Sequence, residues 1–289
     1  MIIINMACGL ANRMFQYCYY MYLRKMEFPV AIDFYKTAKL PHENVPWKRI
    51  FPNAPLYQAS RMTVLIMGGG GNFVSKIRRK YLPSTTKVLQ MPTAFDAILP
   101  HNGEKDVYVI GVFQNAEMIE SIKNDVFHAF TFPAFSDNYN LQLAKEIREC
   151  ESVAIHVRKG KDYTSRVWYR NTCPLEYYRK AITLIRRKFD NARFYVFTDN
   201  VNWVKENFSE FEYRLIDENP SFGWGCHFDM QLMSLCRHNI ISNSTYSWWG
   251  AFLNQNPNKT VICPSVWFNP QSCEEYMSSR LLCQNWVAL

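Results

Sequence analysis

In the stretch HVRKGKDY, residues 156–163, a histidine, an arginine, two lysines and an aspartate crowd the exit of an apolar run, Val153-Ala154-Ile155, that reads as a buried strand. Positive charge at the mouth of a core strand suits an anionic ligand. Two other strand ends carry polar groups. RFYVF (193–197) is followed by Thr198, Asp199 and Asn200, and NIIS (239–242) by NSTYS (243–247), which runs into a helical pattern. A helix start offers unpaired N–H groups and the positive end of the peptide dipoles. Arg158 on one strand end, with Asn243, Ser244, Thr245 and Ser247 on a nearby one, is therefore a candidate two-sided grip for a diphosphate. Bland readings stand beside this one. Asn, Ser and Thr cap helices everywhere. His156 alternates with Ile155 and Val157 and reads, taken alone, as a satisfied core histidine. Trp248 and Trp249 read as core more readily than as sugar platforms.

What is missing narrows the chemistry. The chain has no Asp-x-Asp pair, the carboxylate spacing with which a nucleotide-sugar enzyme usually holds its diphosphate through a divalent metal. Cationic side chains and backbone dipoles are expected to take the metal's place. There is no GxSxG, HExxH or GxGxxG, and GGGG (68–71) is not a P-loop because no Gly-Lys-Ser/Thr follows it. The nine cysteines form no CxxC pair and no Cys/His cluster at zinc spacing, so buried reduced thiols are expected.

The elements that must position these groups alternate. IIIN (2–5) reads as a strand, 12–26 as a helix and PVAID (29–33) as a strand. Residues 36–105 read as irregular, with a mobile loop at the glycines. DVYVIGVFQ (106–114) is a strand pattern, and 116–129 and 137–149 look helical. From 150 onward, strands at 153–157, 193–197, 213–216, 239–242 and 260–263 alternate with helices at 174–189, 202–208, 228–238 and 245–254. Such alternation implies a parallel sheet with right-handed crossovers, and ligands bind such sheets outside the carboxyl ends of the strands.

Composition sets outer bounds. The 289 residues are 48% apolar and 16% aromatic, enough for a substantial core. No run approaches the ~20 apolar residues of a membrane span, and MIIINMACGL lacks the basic region of a signal peptide. The protein is expected to stay in the cytosol, where the sequons at Asn207, Asn243 and Asn258 carry no meaning. A net charge of +8 suggests an anionic partner. KIRRK (76–80) and IRRKF (185–189) read mainly as solvated basic faces. No zinc finger or RNA-binding aromatic signature supports nucleic acid.

Four blocks carry a family resemblance: CGLANRMFQY (8–17), HVRKGKDY (156–163), FYVFTDN (194–200) and DMQLMSLCRHNIISNSTYSWWGAFLN (229–254). The chain resembles bacterial α-1,2-fucosyltransferases of glycosyltransferase family 11. The first block is similar to that family's Gly-Leu-Gly-Asn-Gln-Met-Phe-Gln-Tyr opening and the second to its His-x-Arg-Arg-Gly-Asp-Tyr motif. The last block is the most specific, and residues 36–105 contribute little. The resemblance implies an α/β, GT-B-like fold of two Rossmann-like lobes with parallel sheets and an interlobe cleft. Residues 1–150 would form the acceptor-side lobe and 151–289 the GDP-sugar lobe, with a final helix able to pack back on the first.

The same resemblance implies inverting transfer of L-fucose from GDP-β-L-fucose to the 2-hydroxyl of a terminal galactoside, forming an α-1,2 linkage in a surface glycan. No metal or cofactor is implied. Arg158 carries over as the principal diphosphate contact, beside Lys159; His156 and Asp229 fall near guanine; Ser244, Thr245 and Ser247 cap the phosphates. Asp199, Asn243, Gly9 and Asn12 complete the binding set. Asp162 and His156 are candidate bases and Asn12 an orienting group. There are departures from the pattern. Lys159 replaces an Arg, Lys161 is an insertion before Asp162, and Ala11 and Arg13 replace Gly and Gln. Alternative readings are a GT-B transferase with another donor or linkage, such as α-1,3, and a non-catalytic GDP- or glycan-binding protein. The expected partners are GDP-fucose and a galactose-terminated or lipid-linked glycan. A bacterial cytoplasmic protein touching the anionic inner membrane through 76–80 is the expected setting.

Overall fold

The computed structural model describes residues 1–34, 43–67, 87–91, 106–169, 172–269 and 280–289, with 87–91 and Asp162 given by their backbone alone. The GGGG run and the KIRRK segment lie outside the described residues. The chain forms two compact units, Met1–Thr131 and Phe132–Leu289.

The first unit contains β1 (Ile2–Asn5), α1 (Leu10–Lys25), β2 (Val30–Asp33), α2 (Trp47–Ile50), α3 (Arg61–Ile66), β3 (Lys87–Met91), β4 (Val107–Gly111), α4 (Ala116–Ser121) and α5 (Lys123–Ala129). Its strands pair in parallel in the order β2-β1-β4-β3. Every residue of β1 and β2 is buried, as strands covered on both faces must be. The strand–helix–strand opening stands as read. β3 lies within the span read as irregular, where five residues amid prolines and glycines give no periodic signal. The helical pattern at 116–129 breaks at Ile122 into two short helices.

The second unit contains α6 (Asn138–Arg148), β5 (Glu151–Val157), α7 (Lys161–Thr164), α8 (Leu175–Lys188), β6 (Ala192–Thr198), α9 (Val201–Asn207), β7 (Tyr213–Ile216), α10 (Phe228–Leu235), β8 (His238–Ile240), α11 (Thr245–Leu253), β9 (Val261–Cys263) and β10 (Val287–Ala288). The sheet is parallel throughout, in the order β10-β9-β8-β5-β6-β7. The division falls at 131/132 rather than 150, because α6 belongs with this unit. Residues 280–289 form turns and the two-residue β10 on the edge of β9, and residues 270–279, where the expected final helix could fall, lie outside the described residues.

Strand alternation sorts this sheet's side chains onto two faces. Val153, Ile155 and Val157 of β5, with Phe194 and Val196 of β6, pack in one core with Tyr177, Tyr178, Ala181, Ile182 and Ile185 of α8. Each buried Val, Ile or Phe side chain there stabilises by roughly 1.5–3 kcal/mol. α8 starts with Glu176 and ends with Arg186, Arg187 and Lys188, complementing its dipole. His156, between Ile155 and Val157, projects from the opposite face of β5. Trp248 and Trp249 are fully buried, core residues as read. Every described cysteine is a free thiol.

Candidate active site

In the second sheet, chain order reverses between β5 and β8. From β5 the connections run outward to β6 and β7 on one side; β8, β9 and β10 lie on the other. Neighbouring loops diverge at such a switch point and leave a crevice at the carboxyl ends of the strands. The register sets Val157 against Thr198 and Ile155 against Ile240, so the loops after β5, β6 and β8 leave the sheet side by side. These loops carry Arg158, Asp199 and Ser242 to Ser244.

Arg158 is braced rather than loose. Its Nη1 lies 3.2 Å from Asp199 Oδ2, and its guanidinium carbon 5.6 Å from the Tyr163 ring. Asp199 Oδ1 accepts the Lys159 backbone N–H at 2.7 Å. Asp199 thus ties the loop after β5 to the end of β6, and the Arg158 side chain remains 34% exposed. The structure places Asp199 as a brace. Lys159 turns inward: its Nζ donates to the Thr172 carbonyl at 3.3 Å and lies 5.4 Å from the Trp203 ring centre. Burial pulls its pKa down. Of the two neighbouring cations expected to grip the ligand, Arg158 alone is held at the crevice.

His156 Nδ1 shares a hydrogen bond with Ser242 Oγ at 2.8 Å across the switch point. Burial, with the Arg158 charge beside it, lowers its pKa to about 3. The ring is neutral at physiological pH and is held as the hydrogen-bond partner of Ser242. Its ring centre lies 6.1 Å from that of Tyr246 in the first turn of α11. The Tyr246 hydroxyl accepts the Met230 N–H at 3.0 Å and donates to the Cys226 carbonyl at 2.9 Å, fastening α11 to the start of α10. Asp229, in the first turn of α10, accepts at Oδ1 from Asn219 Nδ2 at 2.8 Å. Burial outweighs that hydrogen bond and pushes its pKa up to about 6.

The NSTYS residues divide. Asn243 is buried, donating to Thr172 Oγ1 and to the Trp267 carbonyl, both at 2.8 Å, and accepting from Cys173 Sγ. Ser247 is fully buried and donates to the Ser244 carbonyl at 3.1 Å. Both shape the loop through hydrogen bonds to protein groups. Ser244 is the N-cap of α11, but its hydroxyl caps no backbone N–H. Ser244 and Thr245 are half-buried, and the first-turn amides of α11 have no intrahelical acceptor. Arg158 at the exit of β5 and the start of α11 after β8 are the two features expected from the sequence to grip a diphosphate, and both lie at the carboxyl edge of neighbouring strands.

Of the remaining expected residues, Asp162 has its backbone in α7, directly after Gly160, and its side chain lies outside the description. Gly9 and Asn12 belong to the first unit. Gly9 precedes α1 as its N-cap, and Asn12 Oδ1 accepts from Gln114 Nε2 at 3.1 Å. Gln16 was not singled out in the sequence. It accepts the Ala7 N–H at 3.0 Å and donates to the Gly111 carbonyl at 2.8 Å, pinning the loop between β1 and α1. Its one signal is an amide on a helix whose other buried residues, Arg13 apart, are apolar or aromatic. Tyr246 and Asn219 were also missed; the first sits inside a quoted block, the second only in a turn-like ENPS.

The family profile of glycosyl transferase family 11 matches residues 87–289. The chain belongs to that family. Among curated relatives it is 31% identical over 184 residues to "O-antigen biosynthesis glycosyltransferase WbnK" of Escherichia coli, covering 61% of this chain and 59% of that protein. It is 33% identical over 176 residues to an "Alpha-1,2-colitosyltransferase" of the same species, covering 59% of each. The chain thus spans about three-fifths of the length of these relatives. A rat "Galactoside alpha-(1,2)-fucosyltransferase 2" is 26% identical over 104 residues, 35% of this chain and 29% of that one. Among solved structures, the fucosyltransferase NodZ from Bradyrhizobium superimposes with a TM-score of 0.50 at 12% identity, over 86% of this chain and 91% of that one. That likeness shows a shared fold, the α/β, GT-B-like class expected. Among the described residues no helix is long and apolar enough to cross a membrane.

Proposed function

We propose that this family 11 protein transfers L-fucose from GDP-β-L-fucose to the 2-hydroxyl of a terminal galactoside in a surface or lipid-linked glycan, with inversion and without a metal. The observation that supports the donor reading is the braced Arg158 at the exit of β5, beside the strand β8 that leads into the α11 start at the switch point of the second sheet. The acceptor oxygen forms a bond to fucose C1 while the C1–O bond to the β-phosphate breaks, and GDP leaves with that electron pair. Negative charge grows on the leaving oxygens, so Arg158 and the α11 amides stabilise the transition state more than the ground state. Asp229 accepts hydrogen bonds from the guanine edge. Asp162 is the residue we assign, from its place in the motif, to receive the hydroxyl proton. Gly9 and Asn12 of the first unit are assigned to the acceptor side, and the basic segment 76–80 to contact with an anionic membrane.

A second donor is favoured by one observation, the relative named as a colitosyltransferase at 33% identity. GDP-fucose and GDP-colitose offered in parallel, with products analysed for linkage, separate the two. The donor reading itself is tested by thermal stability with GDP, UDP and ADP in excess chelator. A ligand at about 100 times its Kd adds roughly 2.7 kcal/mol, and the expected result is a shift with GDP alone. A shift with UDP instead, or none, would refute the reading.

A further inference from the structure

One polar cluster of the second unit has no part in the diphosphate grip. Asp137 is the N-cap of α6; its Oδ1 accepts the Asn140 backbone N–H at 2.8 Å and the Asn140 side-chain amide at 2.9 Å. Asn140 and Asn219 then exchange a reciprocal pair, Nδ2 to Oδ1 at 2.8 and 3.1 Å. Asn219 Nδ2 also donates to Asp229 Oδ1 at 2.8 Å. An amide nitrogen carries two hydrogens. Those of Asn140 go to Asp137 and Asn219, and those of Asn219 to Asn140 and Asp229. The carboxylates at the two ends accept only, so neither asparagine can flip without setting a carbonyl against a carboxylate. Three segments distant in the chain are thereby locked in one orientation that ends on Asp229. Among the described residues, Asn219 is its hydrogen-bond donor, at Oδ1.

Such a network is poor glue. Asn140 is 2% exposed, and buried amides and carboxylates are no more stabilising than apolar side chains of the same volume. The surroundings also oppose an ionised Asp229. Asp217 of the loop after β7, Tyr139 of α6 and Tyr246 of α11 interact with it electrostatically, and Glu218 and Arg214 act in turn on Tyr139. Asp217 raises its pKa, and the Asn219 N–H acts in the other direction.

We propose that Asn219, locked by Asn140, is a specificity-determining positioning residue that aims an ionised Asp229 at a nucleobase edge presenting two adjacent N–H donors, as N1–H and N2–H of guanine do. The inference rests on the donor reading above. Inosine diphosphate keeps N1–H and lacks the 2-amino group, and uracil presents a single N–H, so both are natural probes.

Calorimetric titration of the full chain with GDP, IDP and UDP between pH 5 and 8 tests it. The wild type should prefer GDP to IDP by about tenfold, the worth of one charge-assisted hydrogen bond, and its GDP affinity should fall on the acid side. Asn219→Leu should lower GDP affinity by roughly 10–30-fold, abolish the preference over IDP and move the acid limb to higher pH. Asn219→Ser, which keeps a donor, should recover part of each, and Asn140→Ala should show the same changes at smaller size. Unchanged nucleotide ratio and acid limb in a folded Asn219→Leu would overturn the proposal; if that variant does not fold, Asn219→Ser and Asn140→Ala decide it on the same two readouts. A wild type without preference for GDP would sink the donor reading instead. A preference lost in Asp229→Asn but kept in every Asn219 and Asn140 variant would sink this proposal alone.

Discussion

At the scale of single residues, the proposed donor grip rests on one cation with a fixed pose. Asp199 holds both the Arg158 guanidinium and the Lys159 backbone amide. Arg158→Ala should lower kcat/KM for GDP-fucose by about 10²–10³, the cost of one preorganised contact to a developing anion. Arg158→Lys should recover little of it, because a point charge does not replace a planar fork. Asp199→Asn should fall between the two. Steady-state kinetics on the three variants checks the ordering; a Lys variant close to wild type would mean that charge alone matters. The sequence made Arg158 and Ser244 legible as polar groups at a strand exit and a helix start, whereas Asp229 came from the family resemblance and His156 read, taken alone, as a core histidine. The sequence did not reveal that Lys159 turns inward, because that depends on where Thr172 and Trp203 arrive in space.

At the scale of elements, α10 and α11 must lie close for Tyr246 to reach the α10 start, and Gly250 permits this. A Cβ at Gly250 would meet Met233 Cβ at 2.9 Å. Gly250→Ala should therefore destabilise the second unit by about 1–3 kcal/mol, the usual cost of overpacking, despite alanine's better helix propensity. Thermal unfolding measures this, and GDP affinity should drop with it as Asp229 and Tyr246 shift. Most of these elements were readable. Parallel strands buried on both faces appear as apolar runs, and α8 shows its core face at residues 178, 181, 182 and 185. β3 was not readable, since a short strand amid prolines and glycines is specified by its partner β4 rather than by its own pattern. The break at Ile122 was hidden for a related reason: two consecutive short helices keep the apolar spacing of one.

For the whole molecule, acid should be the weak direction. His156, with its pKa lowered to about 3, and His238, also lowered by burial, stay neutral when folded. Their stabilisation is complete above about pH 6.5 and is lost as pH falls toward the folded values, by up to about 1.4 kcal/mol per unit for each. Asp229 works the other way. Its pKa, raised to about 6, means the folded chain holds a proton that the unfolded chain releases, which favours folding as pH falls from 6 to about 4. Asp229→Asn should accordingly be more stable than wild type at pH 7.5 and lose stability more steeply between pH 6 and 4. Urea unfolding at a series of pH values tests the sign, and parallel curves for the two proteins would contradict it. The α/β class and the alternation of the second unit were legible at this scale. The division at residue 131 was not, because the attachment of α6 depends on packing against α10 and on the buried Asn140.

The strand order has a consequence for the protein as it is made. The two walls of the crevice come from β5 and β8, and the whole of α7 through α10 is synthesised between them. A growing chain on the ribosome holds Arg158 long before it holds the α11 start. Free nucleotide can therefore do nothing for the nascent chain until β8 and α11 have emerged, and the partly built sheet must wait with one side of β5 unpaired. Parallel pairing over so long a separation is slow. Expression yield should thus respond to translation speed and chaperone supply over the stretch between β5 and α11 more than to GDP in the cell.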